Sequence, residues 1–252
     1  MTASGLFERT RILVGDEGVE RLRAAHVFLV GVGGVGGFAA EALGRAGIGR
    51  LTLLDHDIVE PSDVNRQLPA TTETLGRKKV ALVGQRLQAI NPECRLELMD
   101  TFLNPDNTGE LLDRLAPDRV VDAIDSLNCK VGLIVEAWQR RIPVFSSMGA
   151  AGRLDPSAIR VGDIMDTTVC NLAREVRSRL RRRGVGRGVT VVWSCETAAA
   201  HLPPAPVSSG RDRAVNGSIS YLPALFGLML AGNVIRSLLT PAPLAESRHE
   251  PA

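Results

Sequence analysis

The sequence predicts an α/β chain: a doubly wound, mostly parallel Rossmann-like sheet with a C-terminal extension. Three observations predict it. Short apolar runs alternate with helix-length stretches through residues 1–150. The first run, His26-Val27-Phe28-Leu29-Val30, opens into the glycine-rich Gly31-Val32-Gly33-Gly34-Val35-Gly36. The second, Leu51-Thr52-Leu53-Leu54, ends in an acid, Asp55.

Taken in order, the strand candidates are 26–30, 51–54, 95–99, 119–124 and 143–147. Helix candidates lie between them at 34–46, 76–90, 107–115 and 128–140. Val80, Val83, Leu87 and Ile90 share one helical face by spacing. Pro92, Pro105, Pro117 and Pro143 punctuate the alternation. After Gly149 the pattern changes to a strand at 158–162, an Arg-rich helix over about 170–183 and a strand at 189–194. Residues 197–214 combine prolines, small residues and no periodicity, which predicts a mobile loop. The apolar run at 221–239 approaches the length of a membrane span. Pro223, Gly227, Gly232 and Asn233 interrupt it, so it is read as a buried helix of the sandwich, and membrane association is not expected. The expected organisation is a single domain over 5–240. Residues 1–150 form its nucleotide-binding part, 151–240 its substrate side, and 241–252 a frayed tail.

Composition removes several classes. With a net charge of +2, the chain as a whole is not a polyanion binder. Only Lys78, Lys79 and Lys130 among the 30 basic residues are lysine. Cys94, Cys129, Cys170 and Cys195 are widely spaced and form no C-x-x-C pair, which argues against a zinc knuckle and against a disulfide scaffold. The first 25 residues are charged and broken by glycines, unlike a signal peptide, so a reducing, cytoplasmic setting is expected.

A strand running into a glycine-rich turn that opens a helix holds phosphate oxygens on backbone N–H groups; Gly31, Gly33, Gly34 and Gly36 are the candidates. Asp55, at the end of the next strand, is placed for a ribose hydroxyl. Alternation sends Asp55 and Asp57 to the same side. Asn65-Arg66-Gln67 and Lys79 follow. A hydride-transfer site holds an intact pyrophosphate and needs little extra positive charge. A site that cleaves between the α and β phosphates must stabilise charge on the departing pyrophosphate, and Arg66 and Lys79 suit that task. Asp125 and Ser126 end another strand on the same rim. Asp125 is a candidate Mg²⁺ ligand, or else a helix cap.

The ordered motifs G-x-G-G-V-G, L-T-L-L-D-x-D, N-R-Q, G-x-x-K and D-A-I-D-S resemble the ubiquitin-activating-enzyme-like adenylyltransferases, which include the ThiF and MoeB activators of sulfur-carrier proteins. The likeness spans roughly residues 6–240. It implies that ATP is bound with Mg²⁺, that Asp55 binds ribose, Arg66 and Lys79 the triphosphate, and Asp125 the metal. It also implies a homodimer, with Arg9 or Arg11 reaching the partner's ATP site. Three further stretches, Arg9–Gly15, Ala89–Cys94 and Ser147–Pro156, together with Val215–Tyr221, resemble the branch of tRNA threonylcarbamoyladenosine dehydratases. That branch implies ATP-dependent cyclisation of the modified adenosine through an acyl-adenylate. Asp63 departs from the family, which usually carries Asn there. Residues 211–220 lack a cysteine some relatives have, which argues against a thioester or persulfide step. By themselves Arg174, Arg177, Arg179, Arg181, Arg182, Arg183 and Arg187 read as a solvated helix face. A tRNA substrate would make Arg174, Arg177, Arg181, Arg182 and Arg183 phosphate contacts. Two other readings stay open. One is activation of a ubiquitin-like sulfur carrier, with a cysteine desulfurase or sulfur acceptor as partner. The other is an NAD-binding Rossmann protein, which leaves Arg66, Lys79 and Asp125 without a task.

Overall fold

The computed structural model of the chain describes residues 5–199, 202–205 and 213–240. The expected frayed tail, 241–252, lies outside the described residues. Seven strands form one sheet in the order β3-β2-β1-β4-β5-β7-β6. They are β1 (His26–Val30), β2 (Arg50–Leu54), β3 (Arg95–Met99), β4 (Arg119–Asp122), β5 (Val144–Ser147), β6 (Ile159–Asp163) and β7 (Val189–Ser194). All neighbours pair in parallel except β6, which runs antiparallel on the β7 edge. The C-terminal extension therefore completes the same sheet.

Both faces of the sheet are covered, as continuous apolar strands require. Alternate residues of each strand supply two cores. Val27, Leu29, Leu51, Leu53 and Val121 pack under α2 (Gly36–Ala46), α3 (Lys79–Ile90) and α7 (Leu222–Leu239). Phe28, Val30, Leu54, Val120 and Val144 pack under α4 (Pro105–Leu115), α5 (Leu127–Gln139) and α6 (Asn171–Arg182). By length and composition α7 could cross a membrane. In the fold its Leu222, Phe226, Leu230, Ala231 and Val234 are buried in the core it shares with α2.

Three sequence expectations are corrected. The strand expected at 119–124 stops at Asp122, because the Asp122 carboxylate accepts the Ile124 N–H (3.0 Å) and turns the chain. The loop expected at 197–214 contains a two-stranded antiparallel ribbon, β8 (Leu202–Ala205) with β9 (Arg213–Val215). The register shifts between Leu202 and Pro204; prolines fit such a ribbon because a two-stranded pair is all edge. Third, residues 8–24, for which no element was expected, form α1 (Glu8–Ala24), two helical pieces merged across Gly15 at φ 75° and ψ 173°.

Candidate nucleotide site at the carboxyl rim

Two glycines of the turn have no substitute. Gly31 has φ +87°, and a Cβ there would lie 2.8 Å from the Ala123 carbonyl oxygen. A Cβ on Gly36 would lie 1.7 Å from the Gly31 oxygen. The turn is therefore packed directly against the loop that leads from β4 to Asp125. No side chain caps the N-terminus of α2, so its first-turn N–H groups face the rim as an anion-binding end.

Asp55 fastens this turn. Its Oδ2 accepts the Val32 N–H at 2.7 Å, and its Oδ1 accepts the Asp57 N–H at 2.8 Å. Burial raises its pKa, with those two N–H bonds acting in the opposite sense. The Asp55 carboxylate is buried and that of Asp57 exposed, but their oxygens lie within 4.8 Å of one another, on the same side as expected. Asp57 also pairs with Lys79, at 3.3 Å.

Lys79 opens α3, positioned by its own N–H on the Asp57 carbonyl (3.1 Å). Its ammonium is buried and pairs with Asp57 and with Asp63 at 3.2 Å. Burial pulls its pKa down, but Asp57, Asp63 and Asp55 outweigh that, and the net direction is upward. Arg66 lies over Gly34. Its guanidinium donates to the Ser62 carbonyl (2.7 Å) and to Asn65 Oδ1 (3.0 Å), and pairs with Asp63 at 3.4 Å. Gln67 covers Gly33 and donates its amide to Asp63 Oδ1. Asn65 turns its amide away, to the Ser218 carbonyl (3.1 Å). That bond, with Gly152 N–H on the Gly217 carbonyl and Tyr221 O–H on the Leu154 carbonyl, stitches residues 216–221 over the rim.

Asp125 is exposed at the end of the β4 loop, and Ser126 is the N-cap residue of α5. The N-cap position is thus one residue after Asp125, and the Ser126 side chain makes no capping hydrogen bond. Separately, ligand atoms of Asp55, His56 and Asp57 lie within 4.8 Å of one another.

Arg9 and Arg11 are elsewhere. Phe7 packs on Gly47, the residue that ends α2. The glycine turn is at the other end of that eleven-residue helix, roughly 16 Å away at 1.5 Å per residue. In the Arg-rich helix, Arg177 turns inward to the Thr167 carbonyl (2.7 Å), which leaves it less available than expected. Arg179 donates to Asn128, three residues from Asp125, so α6 borders the nucleotide rim. Arg187 pairs with Asp166. Arg174, Arg181, Arg182 and Arg183 are exposed.

One group went unnoticed in the sequence. Lys130 is fully buried, with Nζ on Asp122 Oδ2 (2.8 Å) and on the Ser147 carbonyl (2.9 Å). Ser146 donates to the same Asp122 oxygen at 2.6 Å. Together they join the ends of β4 and β5 and set the loop that carries Asp125. A lone lysine directly before the apolar run Val131-Gly132-Leu133-Ile134-Val135 was the available signal. All four cysteines are free thiols.

A glycine turn, a carboxylate clamp and two cations on the carboxyl rim of a doubly wound sheet define a nucleotide-binding α/β protein. The chain belongs to the ThiF family, whose model matches residues 7–250. The tRNA threonylcarbamoyladenosine dehydratase of Bacillus subtilis is 38% identical over 240 residues, which cover 92% of this chain and 94% of that protein. Structures of the Escherichia coli tRNA N6-threonylcarbamoyladenosine dehydratase with ATP and with AMP match with TM-scores of 0.83 and 0.82. They are 34% and 35% identical, both cover 92% of this chain, and 93% and 92% of those chains are covered. A sulfur carrier protein adenylyltransferase of Thermus thermophilus is 42% identical over 122 residues, 48% of this chain and 44% of that protein.

Replacing Lys130 with Ala would leave the buried Asp122 with its Ser146 and Ile124 hydrogen bonds but without its counter-charge. Stability should fall by roughly 3–5 kcal/mol in urea titration. A loss below about 1 kcal/mol would mean that the pair does not hold the rim.

Proposed function

We propose that this chain catalyses ATP-dependent dehydration of N6-threonylcarbamoyladenosine in tRNA. The observation that carries the reading is the convergence of Arg66 and Lys79 beside the glycine turn, 3.4 and 3.2 Å from one carboxylate, Asp63. Two cations held at one point suit a triphosphate that loses pyrophosphate, and an NAD site has no use for them. Similarity to dehydratases runs the length of the chain, whereas similarity to the sulfur-carrier activator covers about half. That contrast favours tRNA over a carrier protein as substrate.

In the reaction a threonyl carboxylate oxygen attacks the α phosphorus of ATP and pyrophosphate leaves. A carbamoyl atom of the same side chain then attacks the activated acyl carbon and expels AMP, which keeps the carboxylate oxygen. The carbamoyl proton goes to solvent. The net result is loss of water from the nucleoside. Because the second step is intramolecular, no protein nucleophile is required. The turn N–H groups hold phosphate oxygens, Asp55 takes the ribose through its remaining lone pairs, and Arg66 and Lys79 bind the leaving pyrophosphate. The rim's hard oxygen donors fit Mg²⁺: Asp125 would hold it, and bound there it would draw charge from the phosphates.

Arg9 and Arg11 lie too far from their own turn to serve it. Beside them Ile12 and Leu13 are 81% and 85% exposed. Both features support a homodimer in which these arginines enter the partner's site. The exposed Arg174, Arg181, Arg182 and Arg183 on a helix bordering the rim support phosphate contact with tRNA.

Incubated with ATP, Mg²⁺ and tRNA carrying the modified adenosine, the protein should yield a nucleoside lighter by one water, with one AMP per turnover, by mass spectrometry. An unchanged nucleoside would end this reading. Arg66→Ala and Lys79→Ala should each lower the single-turnover rate on the order of 100-fold, more than they weaken ATP binding. Rates close to wild type would remove both from the chemistry. Changing Arg181, Arg182 and Arg183 together to Gln should weaken tRNA binding and lower its salt slope by roughly one unit per lost phosphate contact. ATP binding should persist. Unchanged affinity and slope would return the cluster to a solvated face.

A further inference from the structure

Asp63 has more partners at the rim than any of the family motifs would suggest. It is 5% exposed, on the short 3₁₀ turn Pro61–Asp63. One oxygen, Oδ2, takes the Lys79 ammonium at 3.2 Å and the Glu60 N–H at 3.1 Å. The other, Oδ1, takes the Gln67 amide and the Arg66 guanidinium. Both cations assigned to the triphosphate, and the amide that covers Gly33, thus converge on a single carboxylate.

The charge balance makes this consequential. Asp55, Asp57 and Asp63 stand beside Arg66 and Lys79, with Asp125 on the same rim, so the acids outnumber these two cations. A neutral amide at position 63 would keep the shape and the bonds to Glu60 and Lys79 through its oxygen, and would remove one negative charge from beside the two cations. The carboxylate here has the geometry of a phosphate oxygen: an anion accepting from a lysine, an arginine and a backbone N–H at once.

Resting on the ATP reading above, we propose that Asp63 is a positioning residue that takes the place of a phosphate oxygen until the nucleotide binds. It holds Arg66 and Lys79 in place and competes with the nucleotide's β and γ phosphates for them. ATP binds by taking over contacts Asp63 already makes, so Asp63 weakens triphosphate binding while keeping the cations aligned. AMP, which has no β or γ phosphate, does not meet this competition.

The test is isothermal titration of the full-length protein with ATP and, separately, with AMP, in Mg²⁺ at fixed ionic strength. Asp63→Asn and Asp63→Ser are compared with wild type; Ser keeps an acceptor for the Glu60 N–H, and whichever variant retains the wild-type melting temperature is read. ATP should bind about tenfold more tightly, corresponding to about 1.4 kcal/mol. AMP binding should stay within about twofold, and KM for ATP should fall more than the single-turnover rate changes. A purely structural residue would weaken both nucleotides together. ATP binding equal to or weaker than wild type in the folded variant overturns the proposal and leaves the ATP reading intact. Failure of the wild type itself to bind ATP overturns both.

Discussion

Lys79 begins α3 with its side chain buried, a place where desolvation and the helix dipole both oppose a positive charge. It is stable there only because Asp57 and Asp63 stand within 3.3 Å. Those two carboxylates in turn are fixed by main-chain bonds: Asp57 through the start of α3 and the Asp55 clamp, Asp63 through Glu60. Remove the ammonium and three acids face one another at the rim. The nucleotide site is therefore built around one buried cation, and the loops between β2 and α3 are shaped to surround it.

The sheet provides the platform for that arrangement. β1, β2 and β4 lie side by side and end level, so the glycine turn, Asp55 and the Asp125 loop meet on one rim. Close contact is enforced twice. Gly31 and Gly36 leave no room for a Cβ between the turn and Ala123, and the Lys130–Asp122 pair locks the β4 end to β5. Chemistry at the rim thus depends on buried polar groups that touch no substrate, in the way outer residues orient a reacting set. The extension after β5 returns over the same rim through Ser218, which accepts from Asn65, and Tyr221, which donates to Leu154.

Much of this was readable from sequence because it is local. A strand, a turn with obligatory glycines and a helix occupy adjacent residues, so Gly31–Gly36 and Asp55 could be found by spacing alone. Strands β1, β2, β3 and β7 fell within a residue of expectation for the same reason: each is a short local pattern, apolar-rich in β1, β2 and β7 and alternating about Arg95 and Glu97 in β3. What escaped was non-local or lacked a period. Lys130 meets Asp122 and Ser147 only after β4 and β5 pair. The ribbon of β8 and β9 has no apolar period in its sequence. Arg177 looked like its neighbours in sequence, and only its contact with Thr167 sets it apart. The N-terminal helix escaped because Gly15 breaks its periodicity.

The central claim is that the threonyl carboxylate of the tRNA substrate becomes bonded to the α phosphorus of ATP at this rim. Labelling that carboxylate with oxygen-18 tests it directly. If the acyl-adenylate forms, one labelled oxygen per turnover appears in the phosphate of AMP and none in pyrophosphate. Label found only in released water or inorganic phosphate, with AMP unlabelled, would contradict it.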